Sequence, residues 1–329
     1  MTVTESITAA AAEPHAERRH TKYRWLVERA KKAGRTTAIV AYPCDKLSLT
    51  GVCEAHNAGL ITPILAGPAG KIVKAARANK LDIGSFEIVD TADSEAAAAT
   101  KAVELIHAAK GEVLMKGSLH TDQLMRAVTS STSGLRTARR ISHAFIMDVP
   151  SHTETLLITD AAINISPDLE CKRDIVQNAI DLYANFEQGK PKVALLSAVE
   201  TVTTKIPSTI DAAALCKMAE RGQITGGVLD GPLAFDNAID PEAARIKGIQ
   251  SPVAGHAQIL VVPDLEAGNM LAKNLTFLLK ADAAGIVLGA RVPIVLTSRA
   301  DSLITRMASC AVAALQVAAR HKATALPAA

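Results

Sequence analysis

Short β-branched apolar runs alternate with helical stretches along this chain, and that alternation limits its fold more than any other feature. Thr36 to Ala41 (TTAIVA), Thr62 to Ala66 (TPILA), Phe86 to Val89 (FEIV) and Val113 to Met115 (VLM) read as strands. Helical segments separate them, among them Ser48 to Gly59 and the alanine-rich Ser94 to Lys110, which Ser94 is placed to cap. An amphipathic helix, Tyr23 to Gly34, comes before the series. Strand and helix in turn, joined by short links, predict a mostly parallel sheet covered on both faces.

The polar, basic stretch Ser130 to Arg140 (SSTSGLRTARR) reads as a linker, and a second series follows it. His143 to Val149 and Thr155 to Asp160 read as neighbouring strands joined by a hairpin-sized loop. Ser166-Pro167 opens a helix from Asp168 to Phe186; Lys192 to Ser197 is a strand and Ser208 to Arg221 a helix. A strand from Val228 is expected to break at Asp230-Gly231-Pro232, and Ile259 to Val262 is followed by a helix reaching about Ala284. Two last apolar runs, Ile286 to Leu288 and Val292 to Leu296, flank a Gly/Pro turn and empty into Ser298-Arg299-Ala300-Asp301-Ser302 before the helix Leu303 to Ala319.

At 329 residues the chain exceeds the size that one core normally serves. With the last strands returning to the first sheet, residues 21–138 and 286–329 form one expected α/β/α domain. Residues 139–285 form a second, inserted in the first, with a cleft between them. Residues 1–20 have no apolar stretch after a basic start, so they read as a floppy tail and not as a signal peptide.

Composition excludes several classes. No run approaches the roughly 18 apolar residues that span a bilayer. A net charge of +3 from 36 basic and 33 acidic residues, with 3% aromatics, offers neither the field nor the stacking surface of a nucleic-acid binder. The five cysteines (Cys44, Cys53, Cys171, Cys216, Cys310) lack Cys-x-x-Cys spacing and read as reduced, mostly buried, cytosolic thiols. The nine histidines show no ligand spacing for zinc, and phosphate-loop, dinucleotide-fingerprint and nucleophile-elbow motifs are missing.

Candidate chemistry gathers at strand ends. Ser298, Arg299 and Asp301 supply a hydroxyl, a guanidinium and a carboxylate where a strand meets a helix; the alternative is that Ser298 and Asp301 cap that helix. Lys116-Gly117 before the polar helix start at Thr121 reads as a candidate anion cradle, to which Arg126 adds a fork; the alternative is a solvent-facing basic pair on an ordinary αβ unit. Asp160 and Asn164 follow a strand; Asn269, Lys273 and Lys280 lie along the helix before the final strands. Asp236 and Asp240 are spaced to share a helical face and suggest Mg²⁺, but Pro241 after Asp240 favours a cap.

Taken together, Leu114 to Ala127 (LMKGSLHTDQLMRA), Arg139 to Pro150 (RRISHAFIMDVP), Leu157 to Asp168 (LITDAAINISPD), Leu229 to Ile239 (LDGPLAFDNAI), Lys247 to Leu275 and the terminal TSRADS resemble the phosphate acetyltransferase and phosphate butyryltransferase family. The resemblance implies two α/β/α domains with mostly parallel sheets, as in isocitrate and isopropylmalate dehydrogenases. It also implies a cytoplasmic homodimer that moves an acyl group between coenzyme A and inorganic phosphate. Coenzyme A is then a substrate, acyl phosphate a product, and no metal or redox cofactor is required.

The family's Ser-Arg pair falls on Ser298 and Arg299 and its phosphate-binding arginine on Arg126. The acidic residue that well-studied acetyltransferases place seven positions after the serine is Thr305 here, so Asp301 is the expected proton acceptor. Their arginine in the helix before the final strands is Thr276, between Lys273 and Lys280. The TSRADS pattern is closer to the butyryltransferase branch. A metal- and nicotinamide-dependent decarboxylating dehydrogenase and a catalytically silent anion-binding protein are the alternatives.

Overall fold

The structure, a computed structural model, describes residues 21–186, 189–296 and 301–325. The expected tail therefore lies outside the described residues. The first elements are α1 (Thr21–Ala33), β1 (Thr36–Ala41), α2 (Lys46–Asn57), β2 (Ile61–Gly67), α3 (Ala69–Ala78), β3 (Glu87–Asp90), α4 (Glu95–His107), β4 (Val113–Lys116) and α5 (Thr121–Thr129). There follow β5 (Ser142–Asp148), β6 (Leu156–Thr159), α6 (Leu169–Phe186), β7 (Lys192–Leu196), α7 (Pro207–Glu220), β8 (Val228–Leu233), α8 (Phe235–Ile239), α9 (Pro241–Ile246), β9 (Ile259–Val261) and α10 (Leu265–Leu278). The chain ends with β10 (Asp282–Leu288), β11 (Ile294–Val295) and α11 (Leu303–Ala325).

Local chemistry sets the helix starts. Asp45, Ser94 and Asp264 each accept the amide three residues on, opening α2, α4 and α10, and Asp240 accepts Glu242 N–H at the start of α9. The cap reading of Asp240 therefore holds. At α11 the cap is Ser302, whose Oγ accepts Thr305 N–H at 3.2 Å, so Asp301 is released from that duty.

One sheet of 11 strands runs β3-β2-β1-β4-β11-β10-β5-β6-β9-β7-β8. Both flanks are parallel, as the β-α alternation requires. The antiparallel ladders lie together at the middle, β11/β10, β10/β5 and β5/β6, the last being the expected hairpin. Two sequence expectations are corrected. The helix expected to reach Ala284 stops at Leu278, because Lys280 turns to φ +56 and its ammonium donates to the Phe277 carbonyl at 3.1 Å; Asp282 to Leu288 then pairs along all of β5. The strand expected to break at Gly231-Pro232 continues to Leu233, because β8 is a sheet edge, where proline's missing N–H leaves no ladder bond unmade.

Side chains alternate across a strand. On β5 and β10, Ala144, Ile146, Ala284 and Ile286 point into one core that also takes residues of α1, α2, α6, α7 and α11. Tyr23 of α1 ties these strands from that side, donating to Ile146 O and accepting Ala284 N–H, both at 2.5 Å. On the opposite face the core is split. One cluster packs α4 and α5 on β1, β2 and β4, and another packs α8, α9 and α10 on β6, β7 and β9. Between them lies a gap whose floor is His143, Phe145 and Ala283.

Among the described residues α11 alone is long and apolar enough to cross a membrane by composition, and 67% of its apolar window is buried in the protein, as expected of a core helix. All five cysteines are free, and burial pushes the Cys44, Cys216 and Cys310 thiols up to about 12, leaving them poor nucleophiles.

Candidate active site

The gap encloses a cavity of about 740 Å³. One wall comes from the end of β4 and the start of α5: Lys116, Leu119, His120 and Thr121. Lys116 is 8% exposed, and its ammonium donates to Gly117 O at 3.3 Å. Gly117 is required here, because a Cβ would meet the carbonyl oxygens of Ala41 and Tyr42 at 2.4 and 2.6 Å. The close approach lets Gly117 N–H bond Ala41 O, and it turns the chain from β4 into α5. Glu95 fixes the next residue, its carboxylate accepting His120 N–H at 2.9 Å and meeting the ring Nδ1 at 3.0 Å. Burial pushes the Glu95 carboxyl up, but these two bonds outweigh it and hold its pKa below the usual value. The His120 side chain does not cap α5, and with Gln123 N–H bonded to His120 O the amides left for an anion at its start are those of Thr121 and Asp122.

The facing wall is one face of α10: Asn269, Ala272, Lys273, Thr276 and Phe277, spaced as a helical stripe. Thr276 Oγ donates within the helix to Ala272 O, and Asn269 Nδ2 donates to Ala161 O at 3.3 Å, fixing α10 to the loop after β6. Gly268 permits that contact, since a Cβ there would lie 2.9 Å from Asp160 O. The loop is shaped by Asp160, whose carboxylate accepts the amides of Ala162, Ile163 and Asn164 and the Asn164 side chain. Leu296, at the end of β11, and the half-buried Asp301 complete the cavity.

Of the residues singled out in the sequence, Lys116, Thr121, Asn269, Lys273 and Asp301 line this one cavity. Asp160 and Asn164 do not; they stand behind the wall, bonded to each other and, through Asn164, to Ile141 O. A strand-end carboxylate looks alike in sequence whether it meets a ligand or its own loop. Arg126 is exposed on α5, away from the lining, and Lys280 closes the end of α10. Ser298 and Arg299 lie outside the described residues. Among those described, no group of three or more His, Cys, Asp or Glu is arranged to hold a metal ion, and Asp236 and Asp240 line none of this cavity.

Sequence reasoning passed over His120, His143, Phe145 and Phe277, all in the lining. Nothing in the local pattern marks His143, the second residue of β5 after Ser142 and before a largely apolar run. It is 2% exposed, and burial lowers its pKa from 6.5 to about 4, with the Asp160 charge pulling the other way. The ring is therefore neutral near pH 7. A separate hollow of about 480 Å³ between α6 and α11 holds Arg139, Arg291 and Arg320, but Arg139 is paired with Asp181 at 2.5 Å.

Residues 95–314 match the family model described as "Phosphate acetyl/butaryl transferase". The chain is 71% identical over 302 residues to a phosphate acetyltransferase of Rhizobium meliloti, covering 92% of this chain and 95% of that protein. It is 40% identical over 290 residues to a phosphate butyryltransferase of Clostridium acetobutylicum, covering 88% and 96%. A branched-chain phosphotransacylase crystal structure from Enterococcus faecalis superposes with TM-score 0.75 at 31% identity, over 86% of this chain and 99% of that one. With the strand-end cavity in place and most of the chain matched, this protein belongs to the phosphate acetyltransferase and butyryltransferase family.

Proposed function

We propose that this enzyme transfers an acetyl group, and longer short-chain acyl groups, between coenzyme A and inorganic phosphate in the cavity between α5 and α10. The reading is carried by one observation: Lys116, the uncapped start of α5, Lys273 and Asp301 converge on one cavity with an otherwise largely apolar lining of Leu119, Phe145, Ala283 and Leu296. Phosphate attack on a thioester builds an oxyanion beside a multiply charged nucleophile, so fixed positive charge and amide donors supply most of the stabilisation.

In this scheme Lys116 and the α5 amides receive phosphate. Leu296 and Asp301, the described residues on either side of Ser298 and Arg299, both line the cavity. That supports Arg299 as a second phosphate clamp and Ser298 as a donor to the thiol sulfur. A phosphate oxygen adds to the acyl carbon, the C–S bond breaks, and the thiolate takes the proton that phosphate gives up. Asp301 carries that proton in the direction of acyl phosphate and accepts it from the thiol in reverse. Thr305 is 4% exposed and accepts from Ser302 Oγ at 3.0 Å, so it serves the helix start. Lys273, which lines the cavity with no ion pair among the described residues, would take a coenzyme A phosphate, and Asn269 holds α10 to the loop after β6. Arg126, exposed on the same helix α5, would add to the positive field that draws phosphate in. The exposed Met270, Phe277 and Leu278 on α10 support a homodimer, and the buried free thiols fit a reducing cytoplasm.

The experiment is thiol release from acetyl-, propionyl- and butyryl-coenzyme A with and without phosphate. Release that requires phosphate and yields acyl phosphate is expected, with acetyl turned over best. Release indifferent to phosphate contradicts the proposal.

A further inference from the structure

One buried titratable side chain on the cavity floor has no part in the scheme above. His143 lines the same cavity as Lys116 and Asp301, and its Nδ1 has no hydrogen-bond partner among the described residues. A buried polar atom left without a partner costs about 1–3 kcal/mol and is uncommon, so an imidazole kept in such a place needs a reason.

Two contacts fix the ring. Phe145 packs edge-on with centroids 4.4 Å apart, and Gly285 of the neighbouring strand leaves room beside it. The environment also selects the tautomer. A proton on Nδ1 would bury an N–H without an acceptor, whereas a proton on Nε2 buries only a lone pair at Nδ1, the smaller loss. Nε2 is the ring atom beside Gly285. A Cβ built on that glycine would lie 2.9 Å from it and 3.3 Å from Leu296 O, so the N–H is on the cavity side that Leu296 also lines.

We infer that His143 is a further catalytic residue: a neutral imidazole whose Nε2–H donates to the acyl carbonyl oxygen, and more strongly to the oxyanion formed when phosphate adds. As the phosphate oxygen bonds to carbon, the carbonyl π pair moves onto oxygen, and it returns when the C–S bond breaks. The ring keeps its proton throughout. Burial favours this role, because a neutral donor already fixed in a poorly solvated site needs no reorganisation as charge develops. The inference rests on the acyl-transfer reading of the cavity.

The test compares wild type, His143→Leu and His143→Gln by steady-state kinetics, by coenzyme A binding calorimetry and by thermal melting. His143→Leu is expected to lower kcat about 100- to 1000-fold, with KM for acetyl-coenzyme A and phosphate within about threefold of wild type. His143→Gln, whose amide can still donate, is expected to recover at least about tenfold of that loss. A His143→Leu enzyme with kcat within about fivefold of wild type overturns the inference. So do two variants that are equally slow and have lost coenzyme A binding, since that marks a structural role. Wild type lacking phosphate-dependent thiol release overturns the underlying reading instead, which separates the two failures.

Discussion

Gly285 on β10 and His143 on β5 share the cavity-facing side of neighbouring strands, and a Cβ at position 285 would come within 2.9 Å of His143 Nε2. The missing Cβ leaves the space that the imidazole occupies. Gly285→Ala is therefore expected to push the ring away and lower kcat at least about tenfold, with a stability loss of about 1–3 kcal/mol from overpacking. Steady-state kinetics beside urea denaturation checks both figures. Normal kcat in this variant would show that the ring's position is immaterial.

Tyr23 holds the same two strands from behind. Its hydroxyl donates to Ile146 O and accepts Ala284 N–H, and Tyr23→Phe leaves both backbone groups without that partner in a fully buried place. A loss of about 1–3 kcal/mol in urea denaturation is expected, with KM values little changed.

Asp301 and Ser302 are adjacent and separable. Ser302→Ala removes the α11 cap and should cost about 1 kcal/mol of stability while kcat falls little. Asp301→Asn should do the reverse, lowering kcat by about two orders of magnitude while the Ser302 cap stays in place. Melting curves and kinetics on the two variants give the answer. Equal kinetic losses in both would return Asp301 to the helix start.

Acid should destabilise the fold through His143. Its folded pKa, about 4, lies below the unfolded value of 6.5. Between those values the unfolded chain binds a proton that the folded chain does not, so stability falls as pH drops through that window. The loss is about 1.4 kcal/mol per pH unit within it and is complete below about pH 4. Denaturation at pH 7 and pH 4.5 should show a smaller difference for His143→Gln than for wild type.

The strand-helix alternation made the two parallel flanks legible, because each apolar run such as Thr36 to Ala41 has one reading when helices precede and follow it. What pairs across the middle was not legible. Asp282 to Ala284 is too short and too rich in alanine to declare a strand, and only the full ladder with β5 makes it one. The site divides likewise. Lys116, Thr121, Asn269, Lys273 and Asp301 stand where a strand meets or follows a helix boundary or along one helical stripe, and local pattern finds such positions. Asp160 carries the same signature yet spends its oxygens on its own loop. His143 carries none, because its meaning comes from a glycine 142 positions away, across the β5/β10 ladder.

If phosphate is held against the acyl thioester in this cavity, the buried Lys116 ammonium at the end of β4 governs how the rate depends on phosphate. The measurement is acetyl phosphate formation from acetyl-coenzyme A over a range of phosphate concentrations, for wild type and for Lys116→Met, which keeps an unbranched side chain one atom shorter and removes the charge. The expected result for Lys116→Met is a kcat/KM for phosphate lower by about two orders of magnitude, with coenzyme A binding retained. A variant as efficient with phosphate as wild type would place the chemistry elsewhere.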